Sequence, residues 1–494
     1  MIVTEFYSED VRLVVPGKQG RSDRFVGPSV RVGERPEDVS AILVAEEFEQ
    51  FVERAVVPVS HFLCPRAATG TELVPEAVVT TRRAKRQVTT AHSSPLGPAA
   101  GGVVASGRRV TPVRHRDFSR RQPKPRAMEI TDVRVERIEV PLDRPLGVSR
   151  DRSMSARGAA FVVVETDEGI TGIGEGVGPE SYIIERIVEE KYAPLLIGED
   201  PLDIERHWQS MVTDTVYKDR KGQGLSAASG VDIALWDVAG KHHGVPVYRL
   251  LGGPMEESLK PYASDLFWQD PETMAERAGS YVDRGFAGVK THLGRGLDAD
   301  EERVAAMRDA IGPDTALMVD MNCGYDRPEA RRVGRMLEEY DVYWYEEPMT
   351  PYDVDGLAAL REELSVPIAS GENEYTKWGF HDLFEADAVD YAMPDVMRCG
   401  GITEAKKICA LAETYNTVCT PHCFTTGVGL AATMHVMAAS PACEWLEFDP
   451  THFEVYEPLF ETPPEIEDGR IALPEEPGLG VHLDEDVIGE FRVD

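Results

Sequence analysis

Six stretches of sequence decide the fold of this chain: GVKTHLG (288–294), LMVDMNCG (317–324), YWYEEP (343–348), PIASGENE (367–374), YAMPDVMRCGG (391–401) and CTPHCF (419–424). In each of them a polar residue follows a short apolar run. These polar residues are separated by 30, 26, 26, 23 and 27 positions and are Lys290, Asp320, Glu346, Glu372, Asp395 and His422. That spacing is the length of one strand, one helix and two loops, which predicts a parallel α/β barrel whose strand ends share one site.

The flanking sequence completes the barrel. KPYASD (260–265) is a further strand candidate before this series, and segments such as DADEERVAAMRDAIG (298–312) and RPEARRVGRMLEEY (327–340) carry helical periodicity between the strands. Seven strand–helix units, followed by a last strand near EWLEF (444–448), predict eight strands. The expected fold class is therefore α/β, a TIM-like barrel.

The rest of the chain divides by composition into further segments. Residues 1–127 carry 14 acidic and 20 basic side chains and lack sustained periodicity, so we expect either a disordered basic arm or, as we favour, a stretch upstream of the true start at Met128. Residues 128–254 begin with two segments whose pattern of apolar and polar residues is typical of strands, and segments with helical periodicity follow. This order predicts an α+β unit. The barrel is expected over residues 255–457, and residues 458–494 are expected to pack back as a Pro-rich segment.

Composition also restricts the partners of the protein. The chain carries 86 acidic and 52 basic residues, for a formal net charge of −34, and such a halophile-like surface repels nucleic acid and anionic membranes. The seven cysteines are odd in number and scattered, which is typical of a reducing compartment and not of a disulfide framework. No apolar run of membrane-spanning length and no secretory signal pattern is found. We expect a cytoplasmic protein without nucleic-acid or membrane partners.

Three predicted strand ends carry carboxylates: Asp320, Glu346 and Glu372. Each follows an apolar run, so each is expected to be buried, and three buried carboxylates repel one another unless a cation lies between them. Hard oxygen ligands in that number suit Mg²⁺. The sequence therefore predicts a magnesium site.

The neighbouring strand ends carry groups for proton transfer. Asp395 and His422 follow on the next two strands, and a carboxylate that holds one imidazole nitrogen makes the other nitrogen a general base. Lys290 and His292 alternate on the second strand and point the same way, which suits a second proton-transfer group and a cation for a substrate carboxylate. Glu447, on the last strand, is expected to donate a hydrogen bond to an enolate oxygen if burial keeps it protonated.

With these motifs the chain from Met128 onward resembles the enolase superfamily, specifically its mandelate racemase subgroup. The matching motifs are VDMN, YEEP, SGEN, MPDVMRCGGIT, TPHCF and WLEFD. The resemblance implies an α+β capping domain, a modified (β/α)7β TIM barrel, Mg²⁺ bound by the three carboxylates and a His422–Asp395 dyad. It also implies abstraction of the proton α to a carboxylate, with Lys290 contacting that carboxylate. The same family is expected to associate as a homo-oligomer.

One position departs from the family pattern. Racemases and many sugar-acid dehydratases of the family resemble one another in Lys-x-Lys on the second strand, whereas this chain has Lys290-Thr291-His292. Asn322 also stands where dehydratases similar to this chain carry histidine. A racemase needs a base on both faces of the carbon, but elimination of water needs only one, so we expect a dehydratase that converts a hexonate or pentonate into a 2-keto-3-deoxy acid.

Two alternatives stay open, a racemase or epimerase of a 2-hydroxy acid and a non-catalytic sugar-acid or metal-binding protein. Basic residues in two loops are further candidates for contacting distal substrate hydroxyls: Arg150, Arg152, Arg157, Lys218, Arg220 and Lys221. The small-molecule substrate itself is beyond what the sequence specifies.

Overall fold

The computed structural model describes residues 128–147, 153–177, 181–215, 217, 219–450, 466–482 and 485–493. The expectations for residues 1–127, and those for Arg150, Arg152 and Lys218, lie outside these described residues.

The first elements form an antiparallel sheet with the order β1-β2-β3. Its strands are β1 (Ile130–Gly147), β2 (Ser153–Thr166) and β3 (Thr171–Gly176). The central strand β2 is covered on both faces: Phe161 contributes to one apolar core and its neighbour Val162 to another. That is why β2 contains the continuous apolar run AAFVVV and does not alternate with polar residues.

Helices cover one face of this sheet. They are α1 (Ser181–Ile187), which continues through a π-helical turn (Val188–Tyr192) into α2 (Ala193–Leu196), then α3 (Ile204–Thr215), α4 (Gln223–His243) and α5 (Val247–Leu250). The long helix α4 lies directly on β3. A Cβ added to Gly174 would lie 2.0 Å from the carbonyl oxygen of Gly230, so this close approach requires glycine.

Eight parallel strands follow. They are β4 (Ser258–Leu266), β5 (Gly288–His292), β6 (Ala316–Asp320), β7 (Trp344–Glu346), β8 (Ile368–Ser370), β9 (Tyr391–Ala392), β10 (Val418–Cys419) and β11 (Trp445–Phe448). The helices between them are α6 (Pro271–Asp283), α7 (Leu297–Ile311), α8 (Arg327–Glu338), α9 (Val354–Glu363), α10 (Thr376–Glu385), α11 (Gly401–Tyr415) and α12 (Gly427–Ala438).

The strands close into a barrel. Each strand from β4 to β9 pairs in parallel with the next, and β11 pairs with β4. Between β10 and β11 the sheet continues through a parallel bridge of Cys419 with Cys443, where the N–H of Cys419 donates to Ala442 O at 2.8 Å. The predicted eight-stranded barrel is confirmed.

Aromatic side chains fill the interior of the barrel. The ring centroids of Tyr262 on β4 and Trp344 on β7 lie 5.2 Å apart, although these strands are not neighbours in the sheet. With Met318, Ala369, Met393 and Trp445 they form a separate apolar cluster. This packed layer forms the floor beneath the polar strand ends.

The end of the chain returns to the earlier elements. Strands β12 (Ile466–Glu467) and β13 (Arg470–Ala472) form a hairpin that pairs antiparallel with β4, and helix α13 (Glu485–Phe491) follows. Leu479 lies between α4 and α12: its N–H donates to Asp237 Oδ1 at 2.8 Å, and its carbonyl oxygen lies 3.1 Å from His435 Nε2. We call Asp237, His435 and Leu479 the C-terminal clamp.

The domain boundaries at residues 127, 254 and 457 stay predictions. Within the described part of the chain, every helix is too short or too polar to span a membrane.

Candidate active site

The carboxyl ends of the barrel strands bring the predicted site residues together. Lys290 and His292 lie on β5, Asp320 ends β6 and Glu346 ends β7, while Glu372 lies two residues beyond β8. Asp395 and His422 lie in the loops after β9 and β10, and Glu447 lies on β11. Lys290, Asp320, Glu346, Asp395 and Glu447 are buried. Burial of so many charged groups is costly and therefore marks this strand-end face as the candidate site.

The three predicted ligands form a compact set. One carboxylate oxygen from each of Asp320, Glu346 and Glu372 lies within 4.8 Å of the others. Burial raises the pKa of Glu346 well above its usual value, and although Lys290 opposes this, the negative charges of Asp320, Glu447 and Glu372 add to it. Three hard oxygen donors with an excess of negative charge fit Mg²⁺ in both chemistry and spacing.

Two donors hold the Glu346 carboxylate in place. Lys290 Nζ lies 3.0 and 3.1 Å from its two oxygens, and Trp344 Nε1–H donates to Oε2 at 3.1 Å. Trp344 lies two positions earlier on the same strand and therefore points to the same face. Trp344 was not predicted as a site residue, because a tryptophan in an apolar run is typical of an ordinary core. Its position two residues before Glu346 was the available signal in the sequence.

Asp395 orients the imidazole of His422. Nδ1–H of His422 donates to Asp395 Oδ2 at 2.7 Å, and Asp395 Oδ1 accepts from the N–H of Met397 at 2.8 Å. In the neutral ring the lone pair is therefore on Nε2, which lies 3.4 Å from Glu372 Oε2. Burial lowers the pKa of His422, but the carboxylates of Glu372 and Glu447 and the bond to Asp395 outweigh burial and raise the pKa to about 10.

Glu447 differs from its prediction. It accepts from Ser264 Oγ, from the N–H of Cys423 and from Lys290 Nζ, each at 2.7 Å. Burial raises the pKa of Glu447, but the charges of Lys290 and His422 outweigh burial and hold the pKa far below its usual value. The expectation that burial keeps Glu447 protonated is therefore wrong, because the buried ammonium of Lys290 stabilises the ionised carboxylate.

His292 lies beside the carboxylate set, with Nδ1 3.2 Å from Asp320 Oδ2. Its ring stacks on Phe267 with centroids 4.6 Å apart, and Nδ1 lies 3.1 Å from Asn322 Oδ1. Asn322 in turn donates twice to Asp320, from its backbone N–H at 2.7 Å and from Nδ2 at 2.6 Å. With Nδ1–H directed to Asn322, the lone pair is on Nε2. This atom is buried and has no hydrogen-bond partner among the described residues.

Two of the predicted loop cations, Arg157 and Lys221, have partners in the described part of the chain. The Arg157 guanidinium stacks 3.6 Å over the Phe424 ring and pairs with the buried Asp449 at 2.7 Å. Lys221 Nζ lies 2.6 Å from a carboxylate oxygen of Glu374, and Arg220 is exposed. The role of these residues in substrate binding stays a prediction.

A further carboxylate beside the site was missed. Glu347 is buried, accepts from Asn373 Nδ2 at 2.7 Å and from Cys323 Sγ at 3.3 Å, and has a positive φ of 38°. Burial, with the charges of Glu372 and Asp320, raises its pKa to about 8. Its place next to Glu346 in YEEP was the only sequence signal.

A closed eight-stranded barrel with carboxylates on three successive strand ends and a histidine–aspartate pair on the next two defines the class: an α/β barrel with an acidic strand-end site. Known families agree with this class. Residues 130–252 match the N-terminal domain of the mandelate racemase / muconate lactonizing enzyme family, and residues 273–487 match the family described as enolase C-terminal domain-like. The chain belongs to the enolase superfamily, in its mandelate racemase subgroup, as the sequence motifs predicted.

Characterised relatives span most of the described chain. D-galactarolactone cycloisomerase of Agrobacterium fabrum is 35% identical over 378 residues, which cover 74% of this chain and 99% of that protein. Arabinonate dehydratase of Saccharolobus solfataricus is 35% identical over 67% of this chain and 89% of that protein. The solved L-talarate dehydratase of Polaromonas sp. JS666, complexed with Mg and L-glucarate, superposes with a TM-score of 0.66 at 34% identity and covers 74% of this chain and 98% of that one. These relatives are sugar-acid dehydratases and a cycloisomerase.

Proposed function

We propose that this protein is a Mg²⁺-dependent dehydratase that converts a hexonate or pentonate into a 2-keto-3-deoxy acid. The observation that carries the proposal is the position of His422 Nε2, which is oriented by Asp395 and lies 3.4 Å from the carboxylate set at Glu372. A base in that position can reach the carbon next to a carboxylate held at the set. The relatives that are dehydratases of sugar acids support the same reaction class.

Asp320, Glu346 and Glu372 are the residues proposed to hold the cation. When bound, Mg²⁺ supplies Lewis-acid stabilisation of the negative charge that develops on the substrate carboxylate. Lys290 adds to that stabilisation from the protein, because its ammonium is buried between Glu346 and Glu447 at 3.0 and 2.7 Å. Burial lowers the pKa of Lys290, but those two carboxylates raise it well above its usual value, so the side chain stays charged.

The proposed reaction needs one residue to move a proton twice. His422 Nε2 removes the C2 proton, and the electron pair of that C–H bond forms the enolate. The protonated imidazole then gives the proton to the departing 3-hydroxyl, so that water leaves and a 2,3-enol results, which becomes the 2-keto-3-deoxy acid. Asp395 stabilises the imidazolium between the two steps. In this scheme Glu447 acts as an ionised carboxylate that holds Lys290.

A second candidate function is carried by His292. Because its Nε2 is buried without a hydrogen-bond partner in the described part of the chain, a second proton-transfer group is available to the substrate. Two such groups suit a racemase or epimerase of a 2-hydroxy acid. One relative is a cycloisomerase, so an isomerisation is the reaction class of this second candidate.

The test is incubation of the protein with Mg²⁺ and a library of aldonates, aldarates and their lactones in D₂O. A dehydratase yields a 2-keto-3-deoxy acid, which keto-acid detection and NMR identify. Deuterium at C2 with inverted configuration and no keto product would contradict dehydration and favour the epimerase. Substrate binding seen by calorimetry without turnover of any library member would favour the non-catalytic alternative. The His422→Asn variant serves as the control in each case.

A further inference from the structure

Three cysteines meet beside the seam that closes the barrel. Cys409 lies on α11, Cys419 on β10 and Cys443 in the turn before β11; we call them the thiol cluster. Cys409 Sγ lies 3.7 Å from Cys443 Sγ, and Cys419 and Cys443 are partners in the bridge between β10 and β11. The proposed dehydration uses none of them.

The members of the cluster differ in access and in ionisation. Cys409 and Cys419 are buried, whereas Cys443 is half-buried. Hydrogen bonds with the thiols of Cys419 and Cys443 lower the pKa of Cys409, and although burial opposes this, Ser440 and the Lys406 ammonium add to the effect. Lys406 is fixed there, because its Nζ donates to Ala439 O and to Ser440 Oγ. The hydrogen bond with Cys409, together with burial, raises the pKa of Cys443 well above its usual value. The pair therefore combines a buried Cys409 thiolate with a partly accessible, protonated Cys443 thiol.

We propose that Cys443 and Cys409 form a site of reversible oxidative modification, with hydrogen peroxide as the oxidant. The Cys409 thiolate takes the proton of the Cys443 thiol across their 3.7 Å contact, and the Cys443 sulfur attacks peroxide. The O–O bond breaks, Cys443 becomes a sulfenic acid, and the released hydroxide takes the proton from Cys409 and leaves as water. Sulfur of Cys409 then attacks Cys443 Sγ, the S–S bond forms, the S–O bond breaks and a second water leaves. Two electrons pass from the two thiols to peroxide, and a dithiol reductant reverses the reaction.

The described chain supplies a matched thiol outside the cluster. Cys323 is also half-buried, but its Sγ donates to Glu347 Oε2 at 3.3 Å. Burial raises the pKa of Cys323, and the neighbouring Glu347 carboxylate raises it further. Cys323 therefore matches Cys443 in exposure and in the direction of its pKa shift. Its hydrogen-bond partner is a carboxylate, a weaker base than the Cys409 thiolate, so Cys323 should react more slowly with peroxide.

The experiment uses the full-length protein treated with hydrogen peroxide, alkylated and digested without reduction. Cleavage after glutamate places Cys409 in peptide 405–413 and Cys443 in peptide 414–444, and a second cleavage after Phe424 separates Cys443 from Cys419 and Cys423. The expected product is peptide 405–413 linked to a peptide that begins at Thr425, with a mass two hydrogens below the sum. Dithiothreitol should separate the two peptides.

Two variants test the order of events. In Cys409→Ser, the Cys443 sulfenic acid should accumulate and be trapped by dimedone, while Cys323→Ser should form the 409–443 link in unchanged yield. Three results would overturn the proposal: no linked peptide at peroxide doses that oxidise methionine, a link from Cys409 to Cys419, or equal oxidation rates at Cys443 and Cys323. The readout is chemical and does not depend on catalysis, so it stands whatever reaction the protein performs.

Discussion

The strand-end face of the barrel and the C-terminal clamp both bury a histidine and acidic groups, but they pair these groups differently. In the clamp, Asp237 accepts from the N–H of Ile173 at 2.9 Å, from the N–H of Leu479 at 2.8 Å and from Lys241 Nζ at 2.8 Å. At the strand ends, Asp320, Glu346 and Glu372 face one another instead, and His292 Nε2 has no partner among the described residues.

Ionisation alone does not separate the two regions. Burial raises the pKa of Asp237, as it raises the pKa of Glu346. A lysine opposes the shift in both regions, Lys241 at Asp237 and Lys290 at Glu346. The difference lies in the other neighbours, because backbone N–H groups also oppose the shift at Asp237, whereas three further carboxylates add to it at Glu346. Repulsion that the fold does not relieve is a better sign of function than a perturbed pKa.

The largest effect is expected from removing the proposed base. His422→Asn keeps a donor for Asp395 but has no lone pair at the position of Nε2, so the kcat of dehydration should fall by about 10³-fold. Steady-state kinetics checks the fall, and calorimetry should show Mg²⁺ affinity within a few-fold of the original.

The exposed His381, which lies outside both regions, provides the matched control. His381→Asn should leave kcat unchanged. If His422→Asn keeps more than about a tenth of the activity, His422 is not the base. The strand-end face would then differ from the clamp in its charges but not in a catalytic role for its histidine.

In the clamp, the expected loss is one of stability. Asp237→Ala leaves two backbone N–H groups without their acceptor and leaves Lys241 with only the carbonyl oxygen of Thr171 among its two acceptors. The free energy of unfolding should fall by about 3–4 kcal/mol. Urea unfolding at pH 7.5 measures it. The exposed pair of Glu205 with Lys407 is the control, since Glu205→Ala should cost less than about 1 kcal/mol. If Asp237→Ala lowered kcat but left the free energy of unfolding unchanged, the clamp would have a catalytic role and not the structural one expected here.

His435 makes the clamp sensitive to pH. Nδ1 accepts from the N–H of Tyr248 at 3.2 Å and Nε2–H donates to Leu479 O, so the neutral ring is satisfied, and burial lowers the pKa from 6.5 to about 4. The unfolded chain therefore binds the proton first as pH falls. The contribution of His435 is complete above pH 6.5, and about 3 kcal/mol should be lost as pH falls towards 4.

Urea unfolding at pH 7.5 and at pH 4 measures how much stability is lost on acidification. Other groups also titrate in that interval, so the contribution of His435 is the difference between the loss in the original protein and the loss in His435→Gln. His435→Gln should be less stable than the original protein at pH 7.5 and should show a smaller loss on acidification. Equal losses in the two proteins would mean that His435 does not carry the pH dependence.

The strand ends were predictable from sequence and the clamp was not. Asp320, Glu346 and Asp395 each follow an apolar run within a few residues, so local periodicity places them at strand ends and barrel topology brings them together. Asp237 reads as an ordinary polar residue in a helix. Its partner Leu479 is 242 positions away, and a contact of that separation leaves no local pattern in one sequence.

The protonation state of Glu447 shows the same limit within the site. Its burial was predictable from β11, but the sign of its pKa shift depends on Lys290, which reaches it from β5 at 2.7 Å. Sequence indicates which side chains point to one face of a barrel. It does not give the distances between charges, and those distances decide which carboxylate is ionised.

The smallest kinetic effect is expected at His292, and it distinguishes the candidate reactions. His292→Asn keeps a donor facing Asn322 Oδ1 and removes Nε2 together with the ring that stacks on Phe267. If elimination uses His422 alone, the kcat of dehydration should fall less than about tenfold, and exchange of the C2 proton with D₂O should continue. Phe267→Leu is the control, since it removes the ring stacked on His292 but keeps the imidazole. A fall in kcat near 10³-fold in His292→Asn but not in Phe267→Leu would make His292 a second proton-transfer residue. If His292 only filled space, removal of its lone pair would not have so large an effect on kcat. The unpartnered nitrogen would then be the feature that assigns the protein to two-base chemistry.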